Sequence, residues 1–151
     1  MTLRVESSPS VLATRVLQGD RRAAARLMTL VENEAPGVEQ ALLYPHAGAA
    51  HVVGITGPPG AGKSTLVAQL AKVFRGRGRR VGIVAVDPSS PFSGGAVLGD
   101  RIRMQELHSD SGVFIRSMAT RGTPGGLART TRAVITVLAA VGCNPVLVET
   151  V

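Results

Sequence analysis

Several things are scarce in this sequence, and each scarcity excludes something. There is one cysteine, Cys143, so no internal disulfide can form, and no Cys/His spacing suggests zinc. Buried small packing is the reading for that thiol. There is no Trp, and aromatics make up 3% of the chain, so the core has to be aliphatic and base stacking has little to stand on. No run of eighteen apolar residues occurs, which argues against a membrane span, and residues 1–10 lack the apolar stretch of a signal peptide. Lysine is nearly missing: fifteen of the seventeen basic residues are Arg. Eighteen Gly and nine Pro fall in clusters with no fixed period, which excludes collagen. The three histidines, His46, His51 and His108, have no metal spacing, and no Ser-His-Asp arrangement can be argued. A cytoplasmic protein is expected.

What is present is a chain of 151 residues, 44% apolar and 18% charged, the size and balance of one globular domain. The net charge of +7 is carried by residues 51–151, because five Arg and five acids cancel in residues 1–50. A basic half suits an anionic ligand such as a nucleotide or coenzyme. The densest basic stretch, Lys72, Arg75, Arg77, Arg79 and Arg80, falls at the expected C-terminal end of a helix and reads as a solvated helix end.

The pattern divides the chain into a helical N-terminal extension, 1–50, and the N-terminal part of a nucleotide-binding domain, 51–151. Ser10 and Asp20 are expected helix caps, and Gly19 ends the first helix. Ala23, Leu27, Leu30 and Val31 share one apolar face, and a third short helix is expected over 38–44. Beyond His51, short apolar runs at 52–56, 81–86, 113–115 and 145–150 alternate with helical stretches at 63–74, 98–107 and 127–140. That alternation predicts an α/β protein with a parallel sheet covered by helices on both faces.

The strongest motif is Gly57-Pro58-Pro59-Gly60-Ala61-Gly62-Lys63-Ser64, a fit to G-x-x-x-x-G-K-[S/T] between an expected strand and an expected helix. Phosphate binding by backbone N–H groups needs glycines that permit a close wrap, and a helix N-terminus that favours anions. Lys63 can reach the terminal phosphates, Ser64 suits Mg²⁺, and Thr65 can add a phosphate contact. The glycine spacing is wrong for the dinucleotide fingerprint.

Mg²⁺ needs oxygen ligands beyond the C-terminal ends of strands. Asp87 ends one apolar run and Glu149 nearly ends another, poor positions for a strand interior. Asp100, after Gly99, reads equally as a metal-side acid and as a helix cap. Arg101 and Arg103 read equally as phosphate or Asp partners and as surface; Lys63, Asp100 and Arg101 are the candidate catalytic residues. Residues 88–95, PSSPFSGG, read as a switch loop near a γ-phosphate.

Taken together, GITGPPGAGKSTL, VAVDPSSPFSGGAVLGDRIRM, GVFIRSMATRG, GGLART and VLVETV resemble the MeaB/ArgK family of GTPases, and QGDRRAAARLMTLVEN resembles that family's helical extension. The resemblance covers about Ser10 to Val151. It implies a P-loop fold, binding of GTP and GDP, Mg²⁺-dependent hydrolysis, and a chaperone or gating role in cobalamin loading on methylmalonyl-CoA mutase or a related acyl-CoA mutase. It implies a homodimer with neither nucleic-acid nor membrane partners. By motif match, Lys63, Ser64 and Thr65 hold phosphates and metal, and Asp87, Asp100 and Glu149 form the magnesium environment. The N-K-x-D motif that selects guanine is not found in the sequence, so guanine preference rests on the resemblance. The chain is expected to be a C-terminally truncated piece, with an exposed sheet edge and marginal stability on its own. The alternatives are another P-loop enzyme (a small-molecule or transport-system kinase, or a metal-insertion GTPase) and an inactive nucleotide-binding fragment.

Overall fold

The computed structural model describes residues 8–41, 49–87, 104–119 and 126–150. Helix α1 (Pro9–Leu17) is capped by Ser8, whose Oγ accepts a hydrogen bond from the Val11 N–H. The expected cap at Ser10 is thus corrected by two residues: Pro9 occupies the first helical position, where its missing N–H is no loss and its fixed φ suits the helix. Gly19, at φ +84°, ends the helix as expected. Asp20 caps α2 (Arg21–Glu32), accepting from the N–H groups of Arg22 at 2.9 Å and Ala23 at 3.0 Å. The face that α2 buries is Ala23, Ala24, Leu27, Met28 and Val31, with Leu30 at its margin. A short helix, α3 (Val38–Ala41), follows.

The sheet is built from β1 (Val52–Ile55), β2 (Val81–Asp87), β3 (Val113–Ala119) and β4 (Val146–Thr150), all parallel, in the order β1-β4-β2-β3. β4 is therefore interior, and among the described residues β1 and β3 are the outer strands. Val52, on the β1 edge, is 42% exposed. Helices α4 (Lys63–Gly76), α5 (Gln105–His108) and α6 (Gly126–Ala140) complete the described fold. Of the helix expected over 98–107, only the last part lies among the described residues, and its helical turn runs on to His108.

Two apolar clusters cover the two faces. Val67, Ala71, Met104 and Leu107 pack on Val81, Ile83, Val113 and Leu147. On the other face α1, α2 and α3 share one cluster with α6 and with Val84, Phe114, Met118, Val146 and Val148. The N-terminal helices are thus continuous with the core of the sheet. Gly82 lets α6 approach β2 closely: a Cβ there would lie 3.2 Å from Leu138 Cδ1 and 3.4 Å from Cys143 Cβ.

Candidate functional site

The sheet aims two elements at its C-terminal edge. From β1 the chain enters a loop, residues 56–62, that opens α4 at Lys63. Gly57, Gly60 and Gly62 have φ of +153°, +79° and +87°. Nothing lies within 4 Å of a Cβ built on Gly60 or Gly62, so the backbone conformation, not lack of space, demands glycine there. Gly62 occupies the N-cap of α4 with no side-chain cap hydrogen bond, so no residue side chain from that position competes for the first N–H groups. A helix N-terminus of this kind favours an anion. The Ala61 N–H donates to the Pro58 carbonyl at 3.3 Å, closing the turn. Pro58, Pro59, Ala61 and Thr65 are exposed around it. Lys63 Nζ donates to the carbonyls of Gly57 at 2.7 Å and Pro58 at 3.0 Å, which holds the ammonium over the loop.

The second element is β4. Glu149 stands opposite Ile55 of β1 and Ala85 of β2, at the centre of the sheet near its C-terminal edge. Ser64, in the first turn of α4, donates from Oγ to Glu149 Oε1 at 2.7 Å, and both residues are buried. Glu149 Oε2 is buried without a hydrogen-bond partner. A buried carboxylate oxygen left unsatisfied is costly, and such an atom beside a hydroxyl suits a hard divalent cation or a water held by one. The residues present therefore fit Mg²⁺.

Asp87 is the last residue of β2, one position past the pairing of Val86 with Thr150, so its backbone is at the same edge of the sheet as Glu149. Asp100, Arg101 and the proposed switch loop at 88–95 lie outside the described residues. Among the described residues no three His, Cys, Asp or Glu side chains form a cluster that could hold a metal. Sequence patterning did not reveal that Lys63 turns back onto its own loop, nor that Arg116 of β3 binds Glu32 of α2; both depend on how the chain folds back on itself.

A glycine-lined turn between a strand and a helix, with Lys63 over it and an acid on a neighbouring parallel strand, defines a P-loop nucleotide-binding fold. The family model described as methylmalonyl-CoA mutase-associated GTPase MeaB matches residues 24–151. The chain belongs to this MeaB family. A protein of Pyrococcus abyssi with a provisional GTPase name is 58% identical over 142 residues, which is 93% of this chain and 44% of that protein. The GTPase ArgK of Escherichia coli is 40% identical, with 91% of this chain and 43% of that protein covered. The crystal structure of LAO/AO transport system kinase superposes with a TM-score of 0.72 at 30% identity, covering 96% of this chain and 43% of that one. The chain thus spans less than half the length of these relatives. Among the described residues no helix is long and apolar enough to cross a membrane.

Proposed function

We propose that this chain is the phosphate-binding part of a GTPase that hydrolyses GTP to GDP and phosphate and serves a cobalamin-dependent acyl-CoA mutase as chaperone or gate. The observation that carries the nucleotide reading is the pairing of Ser64 with Glu149 directly behind the glycine loop. In this reading the loop N–H groups and the start of α4 take the phosphate chain. Lys63 leaves the carbonyls of Gly57 and Pro58 for the terminal phosphates. Ser64, Glu149, Asp87 and Asp100 would hold Mg²⁺, which when bound supplies neutralisation of phosphate charge. Arg101 joins Lys63 in stabilising the charge that develops during transfer to water.

Support for the mutase as partner comes from the family description and from a mouse relative, 38% identical over 156 residues, that is named methylmalonic aciduria type A homolog, mitochondrial. Guanine preference is supported by the GTPase names of the relatives. A homodimer and a cytoplasmic location complete the proposal.

The test is titration calorimetry of the full chain with GTP and with ATP, each with Mg²⁺. Binding of GTP that disappears in Lys63→Ala, with an unchanged circular dichroism spectrum, is the expected result. Equal affinity in the variant removes the phosphate-loop reading. Co-elution with purified methylmalonyl-CoA mutase in the presence of a non-hydrolysable GTP analogue tests the partner separately.

A further inference from the structure

The end of the sheet opposite the phosphate loop is lined with arginine. Arg79 and Arg80 lead directly into β2, Arg77 lies in the turn after α4, and Arg21 and Arg22 open α2. Arg21 reaches the start of β3: it donates to the carbonyls of Ser111 and Val113 and stacks over the Phe114 ring, 4.6 Å from its centroid. Arg80 lies against Gly19 and Gly142, where an added Cβ would be 3.5 and 3.7 Å from its Nη1, and it donates to the Val141 carbonyl. All five arginines are exposed.

The acids nearby are already engaged. Asp20 pairs with Arg15, Asp110 with Arg75, and Glu106 with Lys72. Among the described residues no carboxylate forms an ion pair with Arg21, Arg22, Arg77, Arg79 or Arg80. Like charges gathered at one end repel one another unless an outside anion meets them. Guanidinium forks suit carboxylates and phosphates in two-pronged contacts, and arginine is enriched at protein interfaces.

We propose that this end of the sheet is a docking surface for a carboxylate-rich face of a partner protein. Three observations choose a protein. Leu17, two residues from Gly19, is 46% exposed and gives the charged surface an apolar anchor. Phe114 is buried and covered by Arg21, so no base-stacking ring is presented there. The exposed apolar side chains at this end, Leu17, Val52 and Val73, sit on three separate elements, α1, β1 and α4, and three scattered aliphatic groups are too little apolar surface to enter a bilayer. Because the surface and the glycine loop lie at opposite ends of the strands, the two can be occupied together.

The experiment measures binding of fluorescein-labelled poly-L-glutamate to the full chain by anisotropy, at low and at physiological salt. Arg77→Gln/Arg79→Gln removes two guanidinium groups from the surface. Arg129→Gln/Arg132→Gln, in the first half of α6, removes the same charge elsewhere. The expected result is a loss of about tenfold in affinity and a shallower salt dependence for the first pair, with the second within about twofold of the parent. Equal losses in the two variants would mean that net charge alone is read, and would overturn the proposal. Tighter, equally position-dependent binding of a single-stranded RNA or of phosphatidylglycerol vesicles would assign the surface to a nucleic acid or a membrane instead, and would also overturn it.

Discussion

Ser64 and Glu149, 85 residues apart in sequence, meet at 2.7 Å behind the glycine loop. The bond joins the first turn of α4 to the interior strand β4, so the hydroxyl that follows the loop and the acid behind it are positioned by one another. Glu149 Oε2 has no partner of its own. Glu149→Gln keeps the size and a hydrogen-bonding oxygen but removes the charge. It is expected to weaken the Mg²⁺-dependent part of GTP binding by about ten- to a hundredfold, the range seen when groups supporting a metal site are changed. Binding measured in EDTA should change much less. Calorimetry with and without Mg²⁺ separates the two, and equal losses in both conditions would remove Glu149 from the metal's surroundings.

The local chemistry of this fold is legible in the sequence, whereas its long-range pairings are not. The run 81–86 ends in Asp87 as a strand should when it opens onto a site, and GPPGAGKS forms a turn because its glycines allow φ values that other residues resist. Nothing local says that the last strand slides between the first two, because strand order depends on how the crossovers pack. The same holds for Arg116 with Glu32, which are 84 residues apart. The Ser8 cap was hidden by a nearer serine, and Asp100 and Arg101 lie outside the described residues.

Glu34 stands at φ +50°, just past the C-cap of α2, and its N–H donates to the Val31 carbonyl. A left-handed residue at this position usually is glycine, since any Cβ crowds the following carbonyl. Glu34→Gly is therefore expected to raise stability by about 0.5–1 kcal/mol, even though glycine gains entropy in the unfolded chain. Urea denaturation checks this, with an unchanged m-value as the sign that only the native backbone was relieved.

Arg75 donates from Nε and Nη2 to the two oxygens of Asp110, each at 2.9 Å, and the Gly112 N–H donates to the same carboxylate at 2.8 Å. The Arg75 bonds, and then the Gly112 bond, hold the Asp110 carboxyl below the usual range. A carboxyl lowered in the folded state contributes stability above its unfolded pKa, near 4, and loses that contribution as pH falls through the folded value. Asp110→Asn should thus be less stable than the parent by a constant margin between pH 7 and pH 5, and the margin should shrink below about pH 4. Gly112→Ala tests the same knot sterically. A Cβ there would collide with the Arg75 guanidinium, which has to shift and is expected to loosen its two-pronged hold on Asp110. Melting temperatures across pH follow both variants, and Gly112→Ala should flatten the acid limb as Asp110→Asn does.

Arg116 grips Glu32 with two bonds, at 2.7 and 2.8 Å, and adds a third to Thr29 Oγ1 at 3.1 Å. Both charged side chains are about four-fifths buried, with exposures of 21% and 18%. Removing either partner leaves the other charge poorly solvated, so Arg116→Ala and Glu32→Ala should each cost about 1–3 kcal/mol. The double variant should cost clearly less than the sum. Additive losses would mean that the pair does not couple α2 to the sheet.

Cys143 follows α6 and is 3% exposed, and burial pushes its thiol up to about 11. At pH 8 only a trace of thiolate exists in the folded chain, and it is covered, so a disulfide reagent can label it only through opening of the structure. Labelling of the native chain should therefore be at least about a hundredfold slower than in denaturant. A nucleotide that binds only the folded state lowers the open population further, so Mg·GTP should slow labelling again in the parent and leave Lys63→Ala unaffected. Fast labelling of the parent, unaltered by nucleotide, would show that the packing of Leu138 and Cys143 on Gly82 does not hold this core closed.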